Sequence, residues 1–537
     1  MTATRDAAPS PPAQVSPRQL RAVLGDGGEL AIVDVREELI FSQRHLLLAR
    51  SVPLSRLELR FPRLVPRRAT RIVLCDDGDG LAGRAAAVLA RNGYTSLGVL
   101  DGGVSGWEAA GFELFSGVNV PSKAFGEFIE HAAGTPSITA AELEELIRTR
   151  TDVVILDSRP FDEYARVSIP TATNVPGAEL VLRVRDLAPS PDTMVVVNCA
   201  GRTRSIIGAQ SLIDAGVPNK VTALRNGTMG WSLAGFACES GKDRRAPHVS
   251  RDALTWARSA AQRVAQRCGV TRIDHATLEA WRADQGRTLY LFDVRDPCEY
   301  EAGHIAGAIS APGGQLVQAT DQYVGTLGAR IVLVDHAEVR AQMTGSWLRQ
   351  MGFGDVFVLA ESGTERGWPA PVPLEADARG EAPIDAASLH RLIARNEATV
   401  VDLALSGDYL NGHIPGAWFA IRTRLARALQ KVRPRGMLVL TSEDGLLARL
   451  ALPEARALVD VPVRALAGGN AAWLAAGYAT STDPQMADEP VDQWRKPYEN
   501  RSNPGAAMRE YLAWETSLLP RIERDGSLHF SCMAASR

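Results

Sequence analysis

The sequence lacks the features that mark secreted and membrane-bound proteins. Its 537 residues include only six cysteines, and no two of them form a Cys-x-x-Cys pair. Their number and spacing exclude a disulfide framework and a zinc site of the usual kind. No stretch approaches the roughly 18 consecutive apolar residues of a membrane-spanning helix. The first 17 residues are polar and rich in proline and alanine, without the apolar centre of a signal peptide. We therefore expect a disordered leader over residues 1–15 and a cytoplasmic location.

The sequence also lacks an excess of charge of one sign. There are 59 lysines and arginines against 62 aspartates and glutamates, which gives a formal net charge of −3. This balance gives no reason to expect nucleic acid or a membrane surface as a partner. With 45% hydrophobic and 23% charged residues, the composition is that of an ordinary globular protein. At about 150 residues per domain, the length predicts three or four domains.

What the sequence does contain is an internal repeat. Four apolar segments each end in an aspartate, and each aspartate is followed 71 to 75 residues later by the tryptophan of a closing turn. The aspartates are Asp34, Asp157, Asp293 and Asp402, and the tryptophans are Trp107, Trp231, Trp368 and Trp473. Four spacings this similar indicate four copies of one structural unit.

Within each copy, short apolar segments alternate with segments of helical periodicity. This pattern predicts an α/β fold in which a parallel sheet is covered by helices on both faces. We place copies 1 to 4 at residues 16–118, 134–240, 270–376 and 383–480. A linker helix is expected over residues 246–268, and a C-terminal tail with one helix over residues 481–537.

Copy 2 contains the most distinctive stretch of the chain. An apolar run over residues 194–198 leads to Cys199, a short loop rich in glycine and arginine follows, and helical spacing begins near residue 206. A thiol is thereby placed between the end of a buried strand and the N-terminus of a helix. The unpaired N–H groups there favour an anion, and Arg202 and Arg204 add positive charge. These features stabilise a thiolate and make a purely structural cysteine the weaker interpretation.

Several motifs identify a family resemblance. Asp157-Ser-Arg159 with Glu163-Tyr164, the cysteine loop, and the turn 226–231 together resemble the rhodanese family of sulfurtransferases. The stretch 293–300, followed by residues 303–308, is typical of the same family, and the resemblance covers roughly residues 16–480. It implies four rhodanese-like domains and a transferase that needs neither a cofactor nor a metal.

The resemblance also implies a reaction and a site. The Cys199 thiolate would take sulfane sulfur from thiosulfate, mercaptopyruvate or a small persulfide, and the resulting persulfide would pass it to cyanide, a thiol or a protein acceptor. Cys199 and Arg204 are the expected catalytic residues. The expected substrate-binding residues are Ala200, Gly201, Arg202, Thr203, Ser205, Arg159 and Trp231. Arg159 could equally make a structural hydrogen bond at a strand end, and Trp231 could be core packing.

The other three copies depart from this loop. In copy 1, Cys75 is followed by the acidic sequence Asp-Asp-Gly-Asp-Gly, which would repel an anionic donor. Asp335 stands in the place of the nucleophile in copy 3, and Thr441 stands there in copy 4. We therefore expect copy 2 alone to be catalytic, with Cys75 either an accessory thiol or a relic.

Two other function classes remain open on the sequence. Phosphatases of the same fold use a loop with five residues between cysteine and arginine, whereas four residues separate Cys199 from Arg204. The shorter loop favours a sulfur donor over a phosphatase, and an arsenate reductase of this fold ranks lower still. Three copies without a complete loop could instead indicate a non-catalytic scaffold or a sulfur-carrier protein, which the intact loop at Cys199 disfavours.

Overall fold

The fold is that of a computed structural model, which describes residues 12–361, 363–370, 372–374, 382–499 and 502–533. Most of the expected leader, residues 1–11, lies outside the described residues. Ala13–Val15, however, form strand β1, so the leader does not extend to residue 15 as expected. Among the described residues, no helix is long and apolar enough to cross a membrane.

Copy 1 folds around a five-stranded sheet. Its strands β1–β5 are Ala13–Val15, Leu30–Asp34, Arg50–Ser51, Arg71–Cys75 and Leu97–Leu100. Its helices α1–α5 are Pro17–Val23, Glu38–Gln43, Leu57–Leu64, Leu81–Arg91 and Gly103–Ala109. The strand order is β1-β5-β4-β2-β3, with parallel pairings. Strands that pair in parallel need long crossovers, and the helices supply them.

Copy 2 repeats this arrangement after helix α6, Val120–Ala133. Its strands β6–β10 are Ser137–Ile138, Val153–Asp157, Thr173–Asn174, Met194–Asn198 and Val221–Leu224. Its helices α7–α11 are Ala140–Arg148, Phe161–Arg166, Leu180–Leu187, Thr203–Ala215 and Gly227–Leu233. The strand order, β6-β10-β9-β7-β8, is the order of copy 1.

Copy 3 follows helix α12, Arg251–Arg267. Its strands β11–β15 are Thr271–Ile273, Leu289–Asp293, Ile309–Ser310, Arg330–Val334 and Asp355–Leu359. Its helices α13–α16 are His275–Ala283, Pro297–Ala302, Gly313–Gln318 and Val339–Gln350. The strand order is again the same, but the described residues of the closing turn form no helix. Trp368, the tryptophan of this turn, is 56% exposed.

Copy 4 and the tail complete the described chain. Helices α17–α23 are Ala386–Ala394, Ser406–Asn411, Leu425–Val432, Leu446–Leu450, Leu452–Arg456, Gly469–Ala475 and Pro504–Asp525. Strands β16–β20 are Ala398–Asp402, Trp418–Phe419, Met437–Thr441, Val463–Ala465 and Gln485–Met486. The order here is β19-β18-β16-β17-β20, so a strand from the expected tail region extends the sheet at the edge opposite to β19.

The four sheets in the described residues confirm the predicted α/β repeat with its C-terminal helix. In copy 2, alternate residues of β7 face opposite cores. Leu156 packs in a cluster with residues of α9, α10 and α12, whereas Ile155 packs with residues of α7, α8 and α11. Helices thus cover both faces of this sheet, because each face carries its own row of apolar side chains.

The copies associate in pairs that do not follow the order of the chain. One compact unit consists mainly of Ile32–Val118 and Ala370–Trp494, which contain copies 1 and 4. The other consists mainly of Asn119–Pro369 and Arg495–Arg537, which contain copies 2 and 3 and helix α23. The cysteine loop of copy 2 therefore shares its unit with copy 3 and with the C-terminal helix.

Candidate active site

Cys199 lies between β9 and α10, as the sequence predicts. Strand β9 ends at Asn198 and is paired in parallel with β7 and β10, and helix α10 begins at Thr203. The Cys199 side chain is only 2% exposed. Its thiol donates a hydrogen bond to Ser205 Oγ at 3.5 Å, so the loop closes back over the start of the helix.

The closing turn of copy 2 fixes the backbone of this loop. The N–H of Thr228 donates to the Cys199 carbonyl at 2.8 Å, and that of Met229 donates to the Ala200 carbonyl at 2.9 Å. Gly227 has a φ of +55°, and a Cβ there would lie 2.3 Å from the Cys199 carbonyl oxygen. The turn therefore needs glycine both for its backbone angle and for its close approach to the loop.

The loop presents several N–H groups at one place. For residues 200–204, the described part of the chain supplies no acceptor for the backbone N–H. Ser205 and Ile206, by contrast, both donate to the Arg202 carbonyl at 3.1 Å. Unpaired N–H groups at the start of a helix form a concave binding site for an anion. The backbone N–H groups of Ala200, Gly201 and Thr203, three of the predicted binding residues, belong to this unpaired set.

Arg204 is the cation beside the thiol. Its guanidinium donates to Glu163 at 2.9 Å and, across copies 2 and 3, to Gln315 Oε1 at 3.1 Å. Burial opposes the charge on Arg204, but Glu163 and the Cys199 sulfur outweigh it and raise the pKa of the guanidinium. Lys496 Nζ lies 2.9 Å from Glu163 and adds a second positive charge. The sequence motif included Glu163 but gave no sign of Gln315 or Lys496.

Arg202 turns away from this cluster. It donates to Glu127 of α6 at 2.6 and 2.7 Å, and it also contacts Glu130 and Asn226. Two carboxylates therefore already neutralise the charge of Arg202. This pairing disfavours its expected role in binding an anionic donor. Sequence reasoning could not foresee this, because α6 lies outside copy 2 and carries no motif of the loop.

Arg159 makes a brace that recurs in other copies. Its guanidinium donates to Asp157 at 2.6 and 2.9 Å and to the Val167 carbonyl. Arg36 with Asp34 and Arg295 with Asp293 do the same in copies 1 and 3, which lack the loop of copy 2. In copy 2, Asn198 also donates to Asp157 at 3.1 Å and couples the brace to β9. The shared geometry agrees with the structural interpretation of Arg159.

Trp231 lies in the core of copy 2. It is 1% exposed, packs with Tyr164 and Leu224, and donates from Nε1 to the Ala237 carbonyl at 2.9 Å. Trp107 and Trp473 make the equivalent hydrogen bond in copies 1 and 4. The structure therefore places Trp231 in packing, while the loop hydrogen bonds come from its neighbours Thr228 and Met229.

The loop of copy 1 holds its own anion. Asp76, next to Cys75, accepts from the N–H groups of Gly78 and Ala82, each at 2.9 Å. Burial, followed by Asp34, raises the pKa of the Cys75 thiol well above its ordinary value. Cys75 is 0% exposed. An aspartate thus fills the place that an anionic donor would need, and the thiol beside it stays protonated.

In copies 3 and 4, side chains of the loop itself also make hydrogen bonds in the corresponding place. Asp335 accepts from the N–H groups of Ala337 and Arg340 and from the Arg340 guanidinium, at 2.8 to 3.0 Å. Thr441 donates to Asn470, and Ser442 accepts from the N–H of Ala448 at 3.3 Å. Neither loop offers a thiol. Among the described residues, no group of three histidine, cysteine or acidic side chains could hold a metal ion.

The chain is similar to known proteins, in one case over nearly its whole length. A model of the rhodanese-like domain matches residues 16–110, 139–234 and 274–365. A solved structure of thiosulfate sulfurtransferase from Pseudomonas aeruginosa is 49% identical, with a TM-score of 0.93 over 97% of this chain and 99% of that one. A curated HTH-type transcriptional regulator from Mycobacterium tuberculosis is 34% identical over 110 residues, 20% of this chain. This chain spans about half (47%) of that regulator's length. The chain belongs to the rhodanese family.

Proposed function

We propose that this protein is a sulfurtransferase of the rhodanese type in which Cys199 carries the sulfur. One observation carries the assignment of the site: among the described loops, that of copy 2 combines a thiol, unpaired backbone N–H groups and a neighbouring cation. The similarity to the thiosulfate sulfurtransferase over nearly the full chain supports the activity. Copies 1, 3 and 4 are then non-catalytic.

The proposed reaction has two half-reactions. The Cys199 thiolate attacks the outer sulfur of thiosulfate, the sulfur–sulfur bond of the donor breaks, and sulfite leaves with the bonding electron pair. The enzyme is left as a persulfide anion, which the N–H groups of residues 200–204 stabilise. Cyanide or an acceptor thiolate then attacks the terminal sulfur and releases the Cys199 thiolate. No external electron donor is needed in either step.

Each cation of the site has a place in this scheme. Arg204 and Lys496 share Glu163, so the three side chains together leave one net positive charge near the thiol. This charge supports a small anionic donor such as thiosulfate. Gln315 orients the Arg204 guanidinium from copy 3, which gives the catalytically silent copy a positioning role.

Six free cysteines support a reducing, cytoplasmic location, because a working thiolate and its persulfide need unoxidised sulfur. The acceptor we propose is cyanide, a small thiol or the thiol of a protein.

Mass spectrometry of the reduced full-length protein after incubation with thiosulfate tests the proposal. We expect a gain of one sulfur atom on the Cys199 peptide, which cyanide removes. Cys199→Ser abolishes both the gain and thiocyanate formation, whereas the matched variant Cys75→Ser retains them. Persulfide on Cys75 alone, or full activity of Cys199→Ser, would show that the site has been misassigned.

A further inference from the structure

Helix α23 covers the outer side of the Cys199 loop. A side chain on Gly201 would meet Met229 of α11 and both Glu515 and Tyr511 of α23. The helix is held there by an apolar cluster in which Met508 and Leu512 pack on Met229. Access to the buried sulfur of Cys199 is therefore affected by what this helix carries on its inner face.

Glu515 is the charged residue on that face. It is 0% exposed, and its Oε1 accepts hydrogen bonds from Thr203 Oγ at 3.2 Å and from the Tyr511 hydroxyl at 3.3 Å. Lys123 Nζ lies 3.4 Å from the same oxygen. The second oxygen, Oε2, has no hydrogen-bond partner among the described residues. It would lie 3.2 Å from a Cβ on Gly201.

A buried carboxylate oxygen without a partner costs free energy, so its position beside the loop calls for an explanation. The loops of copies 1 and 3 suggest an explanation. Asp76 and Asp335 are carboxylates of their own loops, and each occupies the N–H groups that an anion would bind. The loop of copy 2 carries no carboxylate, and the one beside it comes from a separate element, α23.

We propose that Glu515 is a specificity-determining residue, which holds a negative charge beside Gly201 and disfavours anionic reagents at Cys199 relative to neutral ones. The charge effect itself does not depend on the proposed function. Its consequence for sulfur transfer does rest on that function. A dianionic donor such as thiosulfate would enter against the charge of Glu515, whereas an uncharged thiol acceptor would not. The residue thereby limits loading of Cys199 by the donor more than unloading by the acceptor.

Two alkylating reagents of similar size and different charge test this directly. Rates with iodoacetate and iodoacetamide are measured on the Cys199 peptide of the full-length protein by mass spectrometry. Glu515→Gln keeps the size and the hydrogen-bond acceptor but removes the charge. We expect the ratio of the iodoacetate rate to the iodoacetamide rate to rise roughly tenfold, the effect of one neighbouring charge.

Three control variants separate the effect of the Glu515 charge from the effect of helix α23 packing over the loop. Glu510→Gln removes an exposed carboxylate from the same helix and leaves the ratio unchanged. Leu512→Ala loosens the docking of α23 and raises both rates together. Lys123→Gln removes the charge that partly offsets Glu515, so the ratio falls several-fold, which is a test independent of any change at Glu515.

An unchanged ratio in Glu515→Gln, or an equal rise in both rates, would overturn the proposal, because Glu515 would then act only in packing. So would an unchanged ratio in Lys123→Gln. Alkylation needs no sulfur donor, so these outcomes are distinct from a failure of the proposed function, which would appear as absence of persulfide on an alkylatable Cys199.

Discussion

The loops that begin at Cys75, Cys199 and Asp335 differ in the group that occupies the space before the helix. In copies 1 and 3 an aspartate side chain lies there, whereas in copy 2 the backbone N–H groups of residues 200–204 have no acceptor in the described chain. Chemistry with an external anion requires such unfilled N–H groups together with a thiol. At the scale of residues, the activity proposed for copy 2 thus depends on the absence of a carboxylate from its own loop.

The two arginines of the loop should differ sharply in their effect. Arg204→Ala removes the cation beside the sulfur, and we expect kcat/KM for thiosulfate to fall roughly a hundredfold, as when one stabilising donor is removed. Alkylation of Cys199 at neutral pH should also slow. Steady-state kinetics and alkylation rates measure both effects, and Arg225→Ala, on a solvent-exposed side chain of the same copy, is the control. Wild-type kinetics in Arg204→Ala would refute the role given to this residue.

At the scale of elements, the closing turn approaches the backbone of the loop in copies 1, 2 and 4. In copies 1, 2 and 4 this turn begins a short helix whose first glycine approaches the loop backbone. A Cβ on Gly103, Gly227 or Gly469 would come within 2.1 to 2.3 Å of a loop carbonyl oxygen. Among the described residues of copy 3 this turn begins no helix, and its tryptophan, Trp368, is exposed instead of buried.

We therefore expect Gly227→Ala to displace the Cys199 loop. The variant combines an unfavourable backbone angle with a clash against two carbonyl oxygens, and it should lower the free energy of unfolding by roughly 2–4 kcal/mol. Persulfide formation should be lost in the folded fraction. Urea denaturation and mass spectrometry check the two effects.

Gly235→Ala provides the matched control for this change. Gly235 also has a positive φ, +85°, but a Cβ there meets nothing within 4 Å. It should cost only the backbone strain and keep persulfide formation. Equal behaviour of the two variants would show that the contact with the loop is unimportant.

At the scale of the whole molecule, the unit containing copies 1 and 4 is expected to respond to pH through a buried carboxyl group. Burial raises the pKa of Glu37 to about 7, although Ser55 and Thr423 donate hydrogen bonds to it. Because the folded-state pKa lies above the ordinary value of 4.5, folding takes up a proton. Stability is fully present below about pH 4.5 and declines as the pH rises towards 7.

Glu37→Gln should remove this dependence. At pH 8 the variant should be more stable than the wild type by about 3 kcal/mol, and at pH 4.5 the two should be alike. Denaturation curves at both pH values measure the difference. Glu108→Gln, on an exposed side chain of the same unit, should change little at either pH. A stabilisation that does not depend on pH would contradict the explanation.

Much of the site follows from neighbours in the sequence, and those parts were predicted. Strand β9, the loop at Cys199 and the start of α10 are contiguous, so apolar periodicity and the position of the cysteine suffice to place them. The strands ending at Asp34, Asp157, Asp293 and Asp402 were read correctly for the same reason. The exposure of Trp368 was not foreseen, because the pattern of its turn does not show that the helix is missing.

The sequence by itself determined the repeat, the α/β fold and the identity of the one complete cysteine loop, since each is written in local spacing and residue type. Only the tertiary structure decided which copies pair, which arginine faces the sulfur and which side chains arrive from elsewhere. Glu127 forms an ion pair with Arg202, Gln315 contacts Arg204, and Glu515 lies beside Gly201. The residues in these contacts are separated by 75 to more than 300 positions in the sequence. No local pattern encodes such contacts, because they arise from how whole elements pack.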